Sequence, residues 1–514
     1  MKSIKSSFIR IFIISCFCFT WYSSFAGFDY NINCRKAFHL IISLRFDEAK
    51  KVIACEKNLD PSNAIPVFLD NYIDFLTVAI GQDNEKYKIL YQGKSIRIDK
   101  ITNSGKKSPY NKYCLAEIYL QWAILRLFIS ENEIGLWEGI STALDINKVN
   151  SLIESNIKEY PHFVPNKMCL AVLHAMSGAI TDEYSWARYI IPFNGSITQS
   201  VSELKEVLDY SMINESYSYL TEECLLYLTF IQLNLSSDKR AALDLIKYYN
   251  DTSLKEIIRA NPLLIYAKAG IYMKNGMNDS ALNLFRSAPS GNRYFPFYQM
   301  DFSYGKALMN KLDGKASLYF FKYILNFKGS HLLKTSMQQI AWQYLLDNNQ
   351  SKYKDYMNKC RLIGNATGES DKMANHEGLN GKPPDIILLK ARLLCDGGYY
   401  EKALSVLKDF SIPVKTRNKR DTIEYLYRYG RIYHEWGKHK IAEEYYERCI
   451  SASRGTSYYF AMNASYQLGV MFENQKDFIK ARYFYNKCLS LDADEYKKGI
   501  RQKAKVALKR IGQK

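Results

Sequence analysis

The sequence predicts an all-α protein, an α-solenoid of antiparallel helix pairs, and three observations support that prediction. A spacing of small and aromatic residues recurs: residues 429–449, YGRIYHEWGKHKIAEEYYERC, return as residues 468–488, LGVMFENQKDFIKARYFYNKC. Gly and Pro are sparse, 26 and 12 among 514 residues, which suits a mostly helical chain better than an all-β one. The composition, 47% hydrophobic and 24% charged, is that of a globular protein, so the chain holds several domains or one extended array.

The first 26 residues have the pattern of an export signal. Three basic residues precede an apolar core at 11–21, and small residues stand at 24 and 26. We therefore expect cleavage near Ala26 and a mature chain that begins near Gly27 and works in the periplasm or the cell envelope.

Two alternatives for this start remain open. The residues before Cys16 have lipobox character and would make Cys16 a lipidated N-terminus, although the apolar run from 11 to 14 is short for that purpose. An uncleaved anchor is the third interpretation, but a transmembrane helix needs about 20 apolar residues. Nine of the 11 Cys follow this segment, an odd number without a C-x-x-C pair, so a disulfide framework is not predicted.

The two quoted stretches place small residues at offsets 0, 12 and 19 and aromatic residues at offsets 3 and 16. The positions are Gly430, Tyr433, Ala442, Tyr446 and Cys449, then Gly469, Phe472, Ala481, Tyr485 and Cys488. Small residues let two short antiparallel helices approach closely, while aromatic residues fill the space between neighbouring pairs. This spacing resembles the tetratricopeptide repeat (TPR), which implies a right-handed superhelix and suggests an exported bacterial TPR protein.

Weaker copies of the template occur upstream. Three further units contain it around Ala391, Ala269 and Tyr304, and fainter ones around Ala37, Ala242 and Ala341. Loops are expected at 99–111 and 364–384, and between about 110 and 225 only a helical pattern persists. The predicted divisions are a signal peptide at 1–26, TPR-like helices at 27–98, divergent hairpins at 110–260, central repeats at 261–363, and C-terminal repeats with a basic capping helix at 385–514.

The search for catalytic and cofactor motifs finds none. Phosphate-binding, dinucleotide-binding and nucleophile-elbow patterns are missing from the sequence. His434 and His439 resemble a zinc motif, but three residues separate Glu435 from His439 where H-E-x-x-H has two. We therefore predict a protein that is not an enzyme and has no catalytic residues, cofactor or metal.

The chain is strongly basic, with a formal net charge of +18. This alone would suggest a nucleic-acid partner, but export argues against one. Basic residues concentrate at the C-terminus, where Ile500, Ala504, Leu508 and Ile511 recur with helical spacing. The predicted amphipathic helix covers the last repeat; the alternative is a peripheral contact with an anionic membrane surface.

Resemblance to TPR domains implies that the first helix of each pair lines a concave, exposed binding face. The residues implied there are Leu388, Arg392 and Asp396, then Tyr427, Arg431 and His434, then Asn463, Tyr466, Glu473 and Asn474. The Lys and Asn clamp with which some TPR domains hold acidic tails is absent.

Two functional classes follow. The favoured one is a non-enzymatic scaffold of the cell envelope that binds a peptide or partner protein in the concave face. The alternative is a TPR-based surface lipoprotein that binds a ligand such as a glycan.

Overall fold

The computed structural model describes residues 27–105, 107–129, 136–179, 194–236, 238, 240–409 and 418–512, without the side chains of 136 and 137. The expected signal peptide, including Cys16, lies outside the described residues. Helices account for all the regular structure in the described ranges, which confirms the all-α prediction. Within them, no helix is both long enough and apolar enough to cross a bilayer. Their nine cysteines are all free, and Cys55 is the one that is exposed.

The chain divides into two compact units. Unit 1 comprises residues up to 236, together with 260–264 and 289–296. Its helices are α1 (Ile32–Ile42), α2 (Phe46–Leu59), α3 (Ile65–Gly81), α4 (Asn84–Tyr91), α5 (Gly93–Asn103), α6 (Pro109–Ile129), α7 (Leu136–Glu159), α8 (Pro165–Ala179), α9 (Ile197–Ile213) and α10 (Leu220–Asn234).

Unit 2 comprises residues 237–259, 265–288 and 297–514. Two short helices, α11 (Ile246–Tyr249) and α12 (Lys255–Ala260), precede its repeats. The helices that follow are α13 (Pro262–Lys274), α14 (Asn278–Ser287), α15 (Tyr298–Asn310), α16 (Ala316–Asn326), α17 (Leu333–Leu346), α18 (Gln350–Leu362), α19 (Glu369–Asn380), α20 (Ile386–Asp396), α21 (Tyr400–Lys408), α22 (Lys419–Glu435), α23 (His439–Ala452), α24 (Phe460–Asn474), α25 (Phe478–Ser490) and α26 (Lys497–Ile511).

Helices α22 to α25 form two antiparallel pairs whose contacts explain the repeated spacing. A Cβ atom on Gly430 would lie 2.6 Å from Cδ1 of Tyr446, and one on Gly469 would lie 2.4 Å from Cε1 of Tyr485. Only glycine therefore permits these two approaches without displacement of an aromatic ring. The small residue at offset 0 and the aromatic residue at offset 16 are direct neighbours, as the spacing predicts.

A left-handed residue follows the offset-0 position by seven places in six of the helix pairs. These residues are Leu44, Gly276, Asn348, Gly398, Gly437 and Lys476, with φ between 60° and 80°. Left-handed backbone favours glycine, because a Cβ crowds the following carbonyl. The pair α1/α2 around Ala37 therefore has the same turn as the C-terminal repeats, although its sequence match is weak.

The unit around Tyr304 is shifted by one residue from the expected frame. Its left-handed turn residue is Leu312, seven places after Gly305 rather than after Tyr304. A Cβ on Gly305 would lie 3.1 Å from Cε1 of Phe320, so Gly305 is the close-contact residue of the α15/α16 pair. The connection from Gly305 to Ala316 is one residue shorter than the corresponding connection in the C-terminal repeats. The close-contact position therefore falls one residue later than the expected spacing places it.

Three other expectations are wrong in detail. The segment 364–384, expected as a loop, contains helix α19, and α5 extends into the loop expected at 99–111. The faint copy around Ala242 forms a short 3-10 helix, Ala241–Leu245, rather than the second helix of a regular pair.

Helix α19 has a polar sequence, yet two of its carboxylates are held in the interior. Asp371, fully buried, accepts hydrogen bonds from Leu332 N at 2.7 Å and from Thr335 N at 2.9 Å, which caps the start of α17. Glu377 accepts from Trp342 Nε1 at 2.8 Å and from Tyr353 Oη at 2.9 Å. Burial raises the pKa of Glu377 despite these donors. Polar contacts therefore fix α19 against α17 and α18.

Helix α26 covers the last repeat, as the amphipathic pattern predicts. Ile500, Ala504, Ala507 and Ile511 are buried in the same hydrophobic cluster as α24 and α25. The lysines of the opposite side are exposed.

Candidate partner-binding face of the C-terminal repeats

The first helices α20, α22 and α24 share a side other than the one that makes the close small-residue contact with their partner helices, and we call this side the inner face. We define it by Arg392 and Asp396 of α20, by Glu424, Tyr427, Arg428 and Arg431 of α22, and by Asn463, Tyr466 and Glu473 of α24. Ile423 and Gly430, on the other side of α22, contact α23. Successive first helices contact one another, which brings these side chains together.

A buried ion pair occupies the middle of the inner face. Nε and Nη2 of Arg428 donate to Oε1 of Glu424 at 3.1 and 2.6 Å. The two residues are 5% and 6% exposed. Burial opposes the ionised form of Glu424, but Arg428 and Arg420 outweigh it and lower the pKa of the carboxyl. Both groups therefore remain charged in the interior.

A second ion pair lies at the end of the inner face, where the first helices finish. Nη2 of Arg431 is 2.7 Å from Oδ1 of Asp396. The side chain of Arg431 is 30% exposed and that of Asp396 is 25% exposed. Burial would raise the pKa of Asp396, but the positive charges of Arg431, Arg392, Lys306 and Arg428 together lower it. Asp396 thus contacts one cation, Arg431, and feels the positive charge of three others in a region that solvent still reaches.

Other parts of the inner face are covered by the chain itself. The guanidinium of Arg392 lies over the ring of Trp342 from α17, 5.0 Å from its centroid. Arg420 lies over Phe460, and Tyr459 packs edge-on against Tyr496, with ring centroids 4.7 Å apart. These residues cover the first turns of α22 and α24.

The exposure expected from the TPR resemblance is therefore wrong for two residues. Tyr427 is 4% exposed, because its ring packs against Phe460 and Tyr446 and its hydroxyl accepts from Nδ2 of Asn463 at 2.9 Å. Burial raises the pKa of Tyr427 to about 12. Leu388, 1% exposed, belongs to the core between α20, α21 and α22.

The other predicted binding residues are accessible to solvent, to different degrees. Asn474 is exposed, whereas Arg392, Arg431, His434, Asn463, Tyr466 and Glu473 are half-buried. Glu473 holds Arg510 of α26 through two hydrogen bonds of 2.7 and 2.6 Å and accepts a third from Tyr485. The structure thus brings Arg431 and Asp396 together and ties Glu473 to the capping helix. Partner binding by any of these residues stays a prediction.

Sequence reasoning missed Glu424, Arg428 and Lys306. The spacing of Arg420, Glu424 and Arg428 at i and i+4 was visible in the sequence, and such pairs face one another along a helix. Lys306 could not have been found this way, because it reaches Asp396 from α15, 90 residues earlier in the chain.

The described residues contain no group of three or more His, Cys, Asp or Glu side chains placed to hold a metal ion. His434 contacts Tyr446, with Nδ1 3.4 Å from the hydroxyl, and its ring lies 5.9 Å from that of His439. The pair belongs to the turn between α22 and α23.

Comparison with known proteins supports the interpretation of the repeats. The family model described as tetratricopeptide repeat matches residues 423–456 and 463–495, which cover α22 to α25. A comparison with curated proteins gives no match. Repeats of this family generally mediate protein–protein interactions. Residues 423–495 of this chain therefore contain tetratricopeptide repeats.

Proposed function

We propose that this protein is a non-enzymatic scaffold of the cell envelope, which binds an acidic segment of a partner protein at the open end of the inner face. The observation that supports it most is the arrangement around Asp396, a half-exposed carboxylate that contacts Arg431 and lies within the influence of three further positive charges. One of these cations, Arg428, is already paired with Glu424. Glu435 acts on Arg431 and Glu377 on Arg392, so exposed Lys306 is the cation offered to a partner, and it favours carboxylates because complementary charge directs and orients binding.

The position of the proposed site follows from what the chain leaves open. Tyr459 and Tyr496 occupy the beginning of the inner face and Trp342 covers Arg392, so a peptide cannot run along its whole length. The end near Asp396 and Arg431 is accessible, and exposed Lys306 and Asn474 flank it. A segment of a few residues fits this end better than a long helix does.

A pull-down from the envelope fraction tests this function. The full chain from Gly27 serves as bait beside a Lys306→Glu variant, which breaks no ion pair of the described structure and reverses the charge next to Asp396. We expect the variant to lose the captured partner while its melting temperature stays the same. The matched control is Arg482→Glu, an exposed cation on α25 outside the inner face. Equal capture by wild type and Lys306→Glu would exclude this end of the inner face.

The envelope location rests on the first 26 residues alone. Mass spectrometry of the native protein should find Gly27 at or near the N-terminus, because the sequence has a small-x-small cleavage site there. Lipidated Cys16 would instead place the protein on a membrane. An intact Met1 in a cytosolic fraction would contradict export.

A peripheral membrane contact through α26 is part of the same proposal. Lys498, Lys503, Lys505 and Lys509 are exposed on this helix, and Val506 among them is 50% exposed. Sedimentation with phosphatidylglycerol vesicles should therefore exceed that with phosphatidylcholine vesicles. Replacement of Lys503, Lys505 and Lys509 by Gln should abolish the difference, since these residues lie outside the buried stripe that covers the last repeat. Unchanged binding by that variant would remove α26 from the proposal.

A further inference from the structure

Unit 1 contains a cleft of about 620 Å³ between α4, α6 and α7. Tyr87 and Tyr91 line it on one side, and Ser141, Leu144 and Asp145 of α7 line the other. This volume lies within the range of about 300 to 1,000 Å³ that small-molecule sites occupy.

The first side of the cleft is a fixed aromatic platform. The rings of Tyr87 and Tyr91 lie 5.7 Å apart, and they pack on Trp122 at centroid distances of 5.9 and 5.3 Å. Trp122 is fully buried, and its Nε1 donates to Asn71 Oδ1 at 2.9 Å, so the support behind the two rings is anchored. Tyr91 remains 37% exposed, and Leu144 across the cleft is 61% exposed. The cleft thus offers apolar contact from both sides.

The second side holds a carboxylate whose position is also fixed. Oδ2 of Asp145 accepts from Nζ of Lys94 at 3.0 Å and from Nη2 of Arg126 at 3.1 Å. The three side chains are only 10%, 12% and 16% exposed in the order Lys94, Arg126 and Asp145. Arg126 also donates to Thr142 Oγ1 at 3.2 Å and to Tyr91 Oη at 3.4 Å. One guanidinium therefore links the aromatic side of the cleft to the acidic side.

These hydrogen bonds determine what the cleft can offer to a ligand. An Arg side chain has five N–H donors, and those of Arg126 are largely engaged within unit 1, so an anion finds little new donor capacity there. Oδ1 of Asp145 has no donor among the described residues, and neither has the hydroxyl of Ser141. Glu138 and Lys88 also line the cleft, and Lys88 is paired with Glu85. The cleft therefore presents mainly hydrogen-bond acceptors beside aromatic rings.

We propose that this cleft binds an uncharged saccharide. The C–H face of a sugar ring packs against Tyr91 and Tyr87, and neighbouring sugar hydroxyls donate to Oδ1 of Asp145 and to Ser141. A rigid aromatic surface costs little conformational entropy on binding, and Lys94 and Arg126 hold the Asp145 side chain in place through its Oδ2. This inference is independent of the scaffold function and supplies residues for glycan binding.

Saturation-transfer NMR on the full chain tests the inference. The probes are maltose, cellobiose, lactose and N,N′-diacetylchitobiose at millimolar concentration. We expect transfer to the ring C–H protons of at least one of these sugars, and a Tyr91→Ala variant should bind that sugar at least about tenfold more weakly, as expected for an aromatic anchor. The matched control is Tyr210→Ala, which removes a tyrosine of similar exposure, 41%, from α9 of the same unit. This control should bind within about twofold of wild type, because exposed residues elsewhere seldom matter.

A Ser141→Trp variant makes the test independent of the tyrosine platform. Ser141 is exposed in the cleft, so an indole there fills the space without removing a contact of the folded chain. Both cleft variants should lose binding while melting like wild type; if Tyr91→Ala melts early, Ser141→Trp decides. The inference is overturned if none of the four sugars binds, if Ser141→Trp binds like wild type, or if Tyr210→Ala loses binding equally.

Discussion

Two carboxyl groups in the interior of unit 1 and two on the inner face of unit 2 respond to their surroundings in opposite ways. In unit 1, Glu117 and Glu223 lie in the interior, where burial raises their pKa values to about 7 and about 8. Their hydrogen-bond partners are uncharged: Gln121 and Cys169 for Glu117, Tyr72 and Tyr227 for Glu223. In unit 2, burial also acts on Asp396 and Glu424, but arginines outweigh it and lower both pKa values.

This difference distinguishes a closed helical interior from a face that keeps its charges. Without a cation, a buried carboxyl stays protonated and behaves as a neutral polar group of the core. With cations it stays ionised, and any cation in excess of the carboxylates is available to a partner. The repeats of both units share the same turn, so side-chain charge rather than the backbone separates the two cases.

The largest effect should come from Glu424→Ala in unit 2. Removal of Glu424 leaves Arg428 buried without its counterion, which should lower the free energy of unfolding by about 3 to 5 kcal/mol. Urea denaturation measures it. Glu447→Ala, which removes an exposed carboxylate from α23, is the control and should change stability by no more than about 0.5 kcal/mol. Similar values for the two variants would mean that the Glu424–Arg428 pair is not desolvated.

The pH dependence of unit 1 should change with Glu223→Gln. The folded chain keeps the Glu223 proton up to about pH 8, whereas the unfolded chain loses it above the ordinary value of 4.5. The stabilisation is therefore complete below about pH 4.5 and declines as the pH rises towards about 8, by about 2.5 kcal/mol between pH 5 and 7. Gln stays neutral, so the variant should gain that amount relative to wild type over this interval.

Urea denaturation of both proteins at the two pH values gives the comparison. Glu206→Gln, at an exposed site of α9, serves as control and should follow the wild-type profile. If Glu223→Gln also follows it, Glu223 is ionised in the folded chain and the contrast between the units disappears.

The shared turn can be tested at two positions that differ in burial. Lys476 of unit 2 is exposed and left-handed, with φ of 63°, so Lys476→Gly should relieve strain and stabilise by about 1 kcal/mol. Leu44 of unit 1 has φ of 61° but is fully buried. Leu44→Gly should therefore lose more stability through the missing hydrophobic packing than it gains through relief of backbone strain. We expect a net destabilisation of about 1 to 3 kcal/mol. Thermal melts should move in opposite directions; the same direction for both would mean that burial does not decide the outcome.

The smallest effect on stability is expected at Lys306. Because it is exposed, Lys306→Gln should change the free energy of unfolding by no more than about 0.5 kcal/mol. Lys94→Gln in unit 1 should cost more, since Lys94 is 8% exposed, pairs with Asp145 and lies 4.9 Å from the ring centroid of Tyr119. Equal costs in chemical denaturation would show that the two lysines have the same environment.

The helix pairs could be predicted from the sequence because their contacts are local. Gly430 meets Tyr446 sixteen residues later, so a fixed spacing records the contact directly. The predicted spacing is wrong at Tyr304, because a connection one residue shorter places Gly305 in the close contact instead. The repeated turn could not be recognised at Leu44 and Lys476, because a left-handed residue is expected from sequence only where it is Gly or Asn.

The surroundings of the inner face could not be predicted, because distant segments form them. Trp342, which covers Arg392, comes from a repeat 50 residues earlier, and the packing of Tyr427 involves the following repeat. Helix α19 was missed because its polar sequence lacks an apolar stripe; Asp371 and Glu377 anchor it through hydrogen bonds to other helices. The local periodicity of apolar residues in the sequence does not predict such contacts.

One turn contact has a consequence for how the protein yields to force. The turn after α20 lies against the turn after α13, so closely that a Cβ on Gly398 would be 1.9 Å from the carbonyl oxygen of Gly276, and Tyr399 donates to Asp279 at 2.9 Å. This contact joins residues about 120 positions apart, whereas the pairs beyond α21 contact mainly their neighbours. In an optical trap that pulls on the C-terminus, α26 and the last two helix pairs should unfold one after another. The extension should then stop increasing until the contact between the turns after α13 and α20 breaks.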